Sequence, residues 1–282
     1  MEKIVLKKTA TNLALYLGNK LHIEWRFYYL FIAAINIIMI AKNWPSVLSW
    51  HVFKKGGAVT VRLRNGTLLN ASGPADLSML TEIWAIEQYS PKGFEINRKD
   101  VIIDIGAHVG FFSVYAAQHA PEGRVISFEP LPANYETLKK NIFQNGIKNI
   151  KPFNMAVARA AGVRDFYEYE GHNGCHSLYY RGNGKKIEVG AISLKEVLGK
   201  NKVVHCNILK MDCEGAEFEI LLNTGKTVFS KIDKIVGELH TDIQKKYSVD
   251  QLLKYLDLCG YDVTIDAGTF YATQKLQNKN IL

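Results

Sequence analysis

Cysteine is scarce and unpatterned in this 282-residue chain: Cys175, Cys206, Cys213 and Cys259 are scattered, with no C-x-x-C pair among them. That excludes a disulfide framework or a cysteine zinc site and predicts reduced thiols in a cytoplasmic protein. No G-x-G-x-x-G loop is present, which argues against an oxidoreductase of the NAD type. Nor is there an arginine-rich patch interleaved with aromatics, so the formal net charge of +8 is weak support for a nucleic-acid partner. Internal repeats and low-complexity segments are absent as well.

Long apolar runs are also missing. Phe27 to Ile40 is apolar apart from Asn36 and two tyrosines, but it spans 14 residues where a membrane helix needs about 20. Arg26 and Lys42 flank it, Trp25 and Trp44 lie beside it as interfacial anchors would, and Lys3, Lys7, Lys8 and Lys20 precede it. It reads as a helix packed on the rest of the protein or on a second copy, or as a segment touching a membrane surface. It starts too late, and lacks the small-residue cleavage site, for a signal peptide.

What the chain does have is Val101-Ile-Ile-Asp104-Ile-Gly106-Ala107-His108-Val-Gly110, an apolar run that ends on an acid and turns through glycines into an amphipathic segment. This is the pattern of a cofactor loop at the first βα turn. A pyrophosphate would be repelled by Asp104, whereas a ligand with an amine and a sulfonium would not, which points to S-adenosylmethionine. A second run, Arg124 to Phe128, ends on Glu129, positioned to accept hydrogen bonds from ribose hydroxyls.

Residues 1–57 are read as an N-terminal helical segment and 58–282 as one domain, with a hairpin and helix in 58–99 and a core in 100–275. The hairpin is predicted from alternation in Ala58 to Arg64 and Thr67 to Ala71 around a type I′ turn at Asn65-Gly66. Asp76 is expected to cap a helix running to about Tyr89. Strands are expected at 101–105, 124–128, 150–157, 203–211 and 232–239, helices at 111–119, 132–145, 217–222 and 249–258, and closing strands at 261–265 and 269–273. Ser193 caps a short helix. An inserted strand pair, 162–170 and 186–189, carries a polar loop from Gly171 to Gly184 suited to covering a site.

In a doubly wound sheet, ligands bind beyond the carboxyl ends of the strands. Asp104, Glu129, Asp212 with Glu214, and Glu238 with His240 all end predicted strands, and should therefore converge. A single such acid is usually a cap or a surface charge, but four strand ends in succession point to a site.

The elements Asp104-Ile-Gly-Ala-His-Val-Gly-Phe-Phe-Ser113, Phe128-Glu129-Pro130 with Asn134, Asn154-Met-Ala-Val157 and Lys210-Met-Asp-Cys-Glu-Gly-Ala-Glu217 resemble the FkbM family of S-adenosylmethionine-dependent methyltransferases, over roughly residues 58–275. The resemblance implies a Rossmann-like class I methyltransferase fold. That fold is an α/β architecture with a mostly parallel seven-stranded sheet, helices on both faces and an antiparallel last strand. It also implies methyl transfer to oxygen, commonly a hydroxyl of a saccharide or polyketide. By the same resemblance Asp104, Gly106, Ala107 and Gly110 line the methionine part of the cofactor, Glu129 the ribose, and Asn154 with Ala156 the adenine side. His108 stands where family members often carry Asn.

Methyl transfer to a hydroxyl needs in-line alignment, exclusion of water and a base for the hydroxyl proton. Asp212 is assigned to positioning and His240 or Glu214 to the base; Glu217 is assigned to the helix dipole. Paired acids also permit a divalent cation, and His172 or His176 in the polar loop a metal or substrate contact, although no metal site is assigned. A nucleic-acid methyltransferase and an NAD-type oxidoreductase are the alternatives weighed.

Overall fold

The structure, a computed structural model, describes residues 25–53, 57–169, 176–179, 182, 184–240 and 246–275. Two compact units divide the chain, Met1–Pro91 and Lys92–Leu282.

In the first unit, α1 (Trp25–Ile40) contains the apolar stretch, and α2 (Trp44–Val52) follows with Pro45 in its first turn, where a missing N–H costs nothing. Among the described residues no helix is long and apolar enough to cross a membrane. The expected hairpin forms from β1 (Val59–Arg62) and β2 (Leu68–Ala71), paired antiparallel. Its turn is not type I′, which needs positive φ at both central residues. Gly66 is left-handed at φ 98° and Asn65 is not; Gly66 N–H donates to Leu63 C=O, making a three-residue loop of Arg64, Asn65 and Gly66. The hairpin is tied to the helices by Lys42 N–H to Arg62 C=O and Arg64 N–H to Ile40 C=O.

The following helix also differs from expectation. In α3 (Pro74–Thr81) the cap is Gly73, and Asp76 lies three residues in, its carboxylate accepting the Gly73 N–H at 3.0 Å and the Ser72 N–H at 2.5 Å. The acid therefore satisfies the helix start from inside the first turn, one half of a capping box. A π-helical turn, Glu82–Ile86, extends it, and left-handed Glu87 at φ 60° ends it before the Ser90-Pro91 break.

The second unit is built on a seven-stranded sheet. Its strands are β3 (Val101–Ile105), β4 (Arg124–Phe128), β5 (Ile150–Phe153), β9 (Cys206–Met211), β10 (Ile232–Glu238), β11 (Tyr261–Asp266) and β12 (Thr269–Gln274), in the order β11-β12-β10-β9-β3-β4-β5. From β10 to β5 every pairing is parallel; β12 runs antiparallel to both its neighbours. The central strands are near-continuous apolar runs because both faces are covered, and Ile102, Ile103, Ile105, Leu209 and Met211 are almost wholly buried. Covering helices include α4 (Phe111–His119) and α5 (Pro132–Gln144), which pack near β3 to β5, and α9 (Val249–Leu258), which packs near β11 and is capped by a Ser248–Gln251 capping box.

A single third strand over 150–157 does not form. β5 stops at Phe153, the chain bends at Asn154, and β6 (Ala156–Ala158) joins a separate three-stranded sheet with β7 (Gly162–Glu168) and β8 (Lys185–Ser193), in the order β6-β8-β7. The bend is held by Asn154 Nδ2, which donates to the carbonyls of Glu129 and Pro130 at 2.9 Å each. Ser193 does cap a helix, α6 (Leu194–Lys200), through a capping box with Glu196. Two short helices follow β9: α7 (Ala216–Leu222), and α8 (Lys226–Phe229), which the sequence reading did not anticipate. Of the polar loop 171–184, residues 171–175, 180, 181 and 183 lie outside the described residues, among them His172 and Cys175.

Candidate active site

The parallel register sets Asp104 on β3 directly beside Lys210 on β9 and Ser127 on β4. Asp104 is 0% exposed; Ser113 Oγ on α4 donates to its Oδ2 at 2.6 Å and accepts from Ser127 Oγ at 2.7 Å. Its Oδ1 accepts no hydrogen bond but has Lys210 Nζ at 3.4 Å. Lys210, 1% exposed, also donates to Gly106 C=O at 3.0 Å, stands 3.7 Å from Asp212 Oδ2 and lies over the Phe112 ring. Burial pulls its pKa down, but Asp104, Asp212 and Glu238 outweigh burial and the net shift is upward, so the ammonium stays charged. The charge of Asp104, expected from sequence to face a cofactor amine, is in the fold already shared with Lys210.

The glycine loop is tied down by its own backbone. Gly106 and Ala107 N–H groups donate to Phe128 C=O, and His108 N–H donates to Glu129 Oε2 at 2.8 Å, with His108 held left-handed at φ 52°. Gly110, also left-handed, heads α4. A Cβ on Gly106 would lie 1.7 Å from Asp212 C=O, and its φ is 75°, so this loop and the one after β9 meet where only glycine fits. Gly106→Ala is expected to cost roughly 3 kcal/mol of folding stability through overlap and backbone strain, read by urea denaturation. An unchanged midpoint would sink this account.

Glu129 is 4% exposed and accepts from Leu131 N–H at 2.9 Å and Asn134 Nδ2 at 3.5 Å besides His108. Burial raises its pKa, against the opposing pull of His108 and these donors. Ala156 is buried in the second sheet, paired with Ala191, and Asn154 clamps the turn after Glu129 as described above.

The second half of the site surrounds His240. Its Nδ1 lies 3.0 Å from Glu217 Oε1, and Glu217 is 0% exposed and also accepts the N–H groups of Cys213 and Gly215. A carboxylate at Nδ1 places the proton there, so Nε2 faces Glu214 at 3.6 Å, Glu238 at 3.8 Å and Asp212 at 3.9 Å. Burial lowers the His240 pKa, but Glu217, Asp212 and Glu214 outweigh it and the net value is raised to about 9. Asp212, Glu238 and His240 each bring one atom within 4.8 Å of the others, close enough to share a proton or a cation.

Of the strand-end residues expected to converge, Asp212, Glu214, Glu238 and His240 meet and Asp104 joins them through Lys210, whereas Glu129 holds the His108 N–H of the glycine loop instead. Glu214 is left-handed at φ 53°, and its carbonyl accepts from Ser177 Oγ at 2.7 Å, so the described part of the polar loop holds the acid-bearing turn. Tyr179 OH donates to Glu219 at 2.5 Å and Arg164 pairs with the same carboxylate at 2.9 Å. Of the loop histidines, His176 uses Nδ1 to accept from Tyr169 N–H. Cys206, Cys213 and Cys259 are free thiols. Lys210, Glu217 as the partner of His240, and Ser177 were not assigned to the site from sequence. The available signal was Lys210, the only charge in the strand Cys206–Met211.

A mostly parallel seven-stranded sheet with one antiparallel strand beside its edge, and acids at the ends of its central strands, is the class I methyltransferase fold. The family model described as Methyltransferase FkbM domain matches residues 104–263, more than half of the chain, and the chain belongs to that family. It is 24% identical over 212 residues to 31-O-demethyl-FK506 methyltransferase FkbM of Streptomyces tacrolimicus, covering 64% of this chain and 81% of that one. It is 23% identical over 218 residues to hexuronic acid methyltransferase AglP of Haloferax volcanii, covering 73% and 86%. Against AMB antimetabolite synthetase AmbE of Pseudomonas aeruginosa it is 24% identical over 223 residues, 65% of this chain but only 10% of that protein's length.

The cofactor is S-adenosylmethionine, and the residues present fit it. Glu129 keeps acceptor capacity beyond its three donors for ribose hydroxyls. When bound, the cofactor supplies a methyl group on a sulfonium leaving group.

Proposed function

We propose that the enzyme methylates a hydroxyl oxygen of a saccharide or similar small polyhydroxy acceptor, with His240 receiving the hydroxyl proton. The observation that carries this reading is the imidazole beyond the strand ends, its Nδ1 engaged by buried Glu217 and its Nε2 turned toward three carboxylates. Asp212 positions the acceptor, and Glu214 stabilises the imidazolium or takes the proton in its stead. Asp104, Gly106, Ala107, His108 and Gly110 line the methionine portion of the cofactor, Glu129 receives the ribose hydroxyls, and Asn154 with Ala156 borders the adenine. The two relatives named for a demethylated FK506 and for a hexuronic acid support hydroxylated acceptors.

The test is a screen of hexuronic acids, neutral sugars and polyketide alcohols with methyl-labelled S-adenosylmethionine. The expected product is a methyl ether, stable to mild alkali. Label released by mild alkali would mean a methyl ester, and would overturn the hydroxyl assignment.

A further inference from the structure

We propose that the N-terminal unit docks on an anionic lipid surface through the exposed apolar and cationic side chains of α1, α2 and the hairpin. From Trp25 to Ala75 the chain carries six Lys or Arg residues and no Asp or Glu. The fold gathers the described ones: the Lys42 N–H bond to Arg62 C=O and the Arg64 N–H bond to Ile40 C=O bring three exposed cations to one end of α1. Arg64 Nε and Nη2 further hold the carbonyls of Met39 and Ile38. Beside these cations Ile38, Met39 and Trp44 are each more than a third exposed, and at the far end of α2 Val52 and Phe53 are 65% and 71% exposed. Ile37, Ile40, Ala41 and Val47 are buried, so the exposed apolar side chains are those left over after the unit has packed.

The chemistry selects the occupant. A second copy would set the same acid-free cationic patch against itself, where like charges repel. Nucleic acid is gripped by cations and stacking aromatics, and gains little from exposed Ile38, Met39 and Val52. An anionic bilayer takes both: headgroups attract Lys and Arg, and the acyl boundary accepts Val, Phe and Trp side chains. The 16 described residues of α1 are about 24 Å long, short of the roughly 30 Å hydrocarbon core, which fits a surface contact.

The experiment is flotation of the full chain with phosphatidylcholine vesicles, with and without a quarter of phosphatidylglycerol. Binding is expected only to the anionic vesicles and should weaken as salt is raised. Val52→Ser with Phe53→Ser should lower partitioning at least tenfold, and Lys42→Ser with Arg62→Ser should abolish the preference for anionic lipid, with S-adenosylmethionine affinity unchanged in both as proof of folding. Equal partitioning of wild type and variants, absence of flotation, or retention by RNA without vesicle binding would each overturn the proposal.

Discussion

Lys210→Met is expected to lower folding stability by about 3–5 kcal/mol at pH 8 and to weaken S-adenosylmethionine binding at least tenfold. Removing one partner of a buried ion pair leaves the other charge desolvated and uncompensated. Here the remaining charge is Asp104, wholly buried, with Ser113 still donating to Oδ2 and nothing left to balance Oδ1. The loss also frees Gly106 C=O from its 3.0 Å bond, so the glycine loop loses its tie to β9. Lys210→Met with Asp104→Asn should restore most of the stability, because a neutral pair carries no unpaired buried charge, and the coupling is read by a double-mutant cycle in urea. Simple additivity would show that Lys210 acts through packing alone.

The contrast between Asp104 and Lys210 marks where sequence reasoning works and where it stops. Runs such as Val101–Ile105 announce buried parallel strands by their lack of alternation, and acids at their ends reveal the ligand side of the sheet. The two closing strands and Ser193 at the cap of α6 were legible for similar local reasons, while the antiparallel direction of the last strand followed from the family resemblance. What was not legible depends on register. Lys210 meets Asp104 only because β9 pairs with β3 and not with β4, and no local pattern encodes that strand order. The break at Asn154 has the same origin: an apolar run over 150–157 reads as one strand until the amide of Asn154 bonds the turn after Glu129 and sends Ala156 into another sheet. Glu217 looked like a helix-dipole residue because it begins a helix. Its carboxylate does cap that turn through the Cys213 and Gly215 N–H groups, and the same carboxylate holds His240, which lies beyond the next strand.

That shared carboxylate yields the second large effect. kcat/KM is expected to rise with pH through a midpoint near 9, since a base must be neutral to take the acceptor's proton and His240 is held protonated up to about 9 by Glu217, Asp212 and Glu214 against the effect of burial. His240→Asn should cut kcat by about 10²–10⁴ while leaving cofactor affinity intact, and should flatten the rise. Glu217→Gln removes the charge that contributes most to the upward shift, so the midpoint should move down toward the ordinary imidazole range near 6.5, a displacement that loss of packing alone would not cause. The same linkage governs stability. A histidine raised from 6.5 to about 9 contributes roughly 3 kcal/mol that is fully present below pH 6.5 and lost as pH rises through 9. Wild type should therefore lose thermal stability across that window, and His240→Asn should not. A rate profile already level at pH 7, with a midpoint in the carboxylate range, would assign the proton to Glu214 or Asp212 and leave His240 as a fixed cation among their charges.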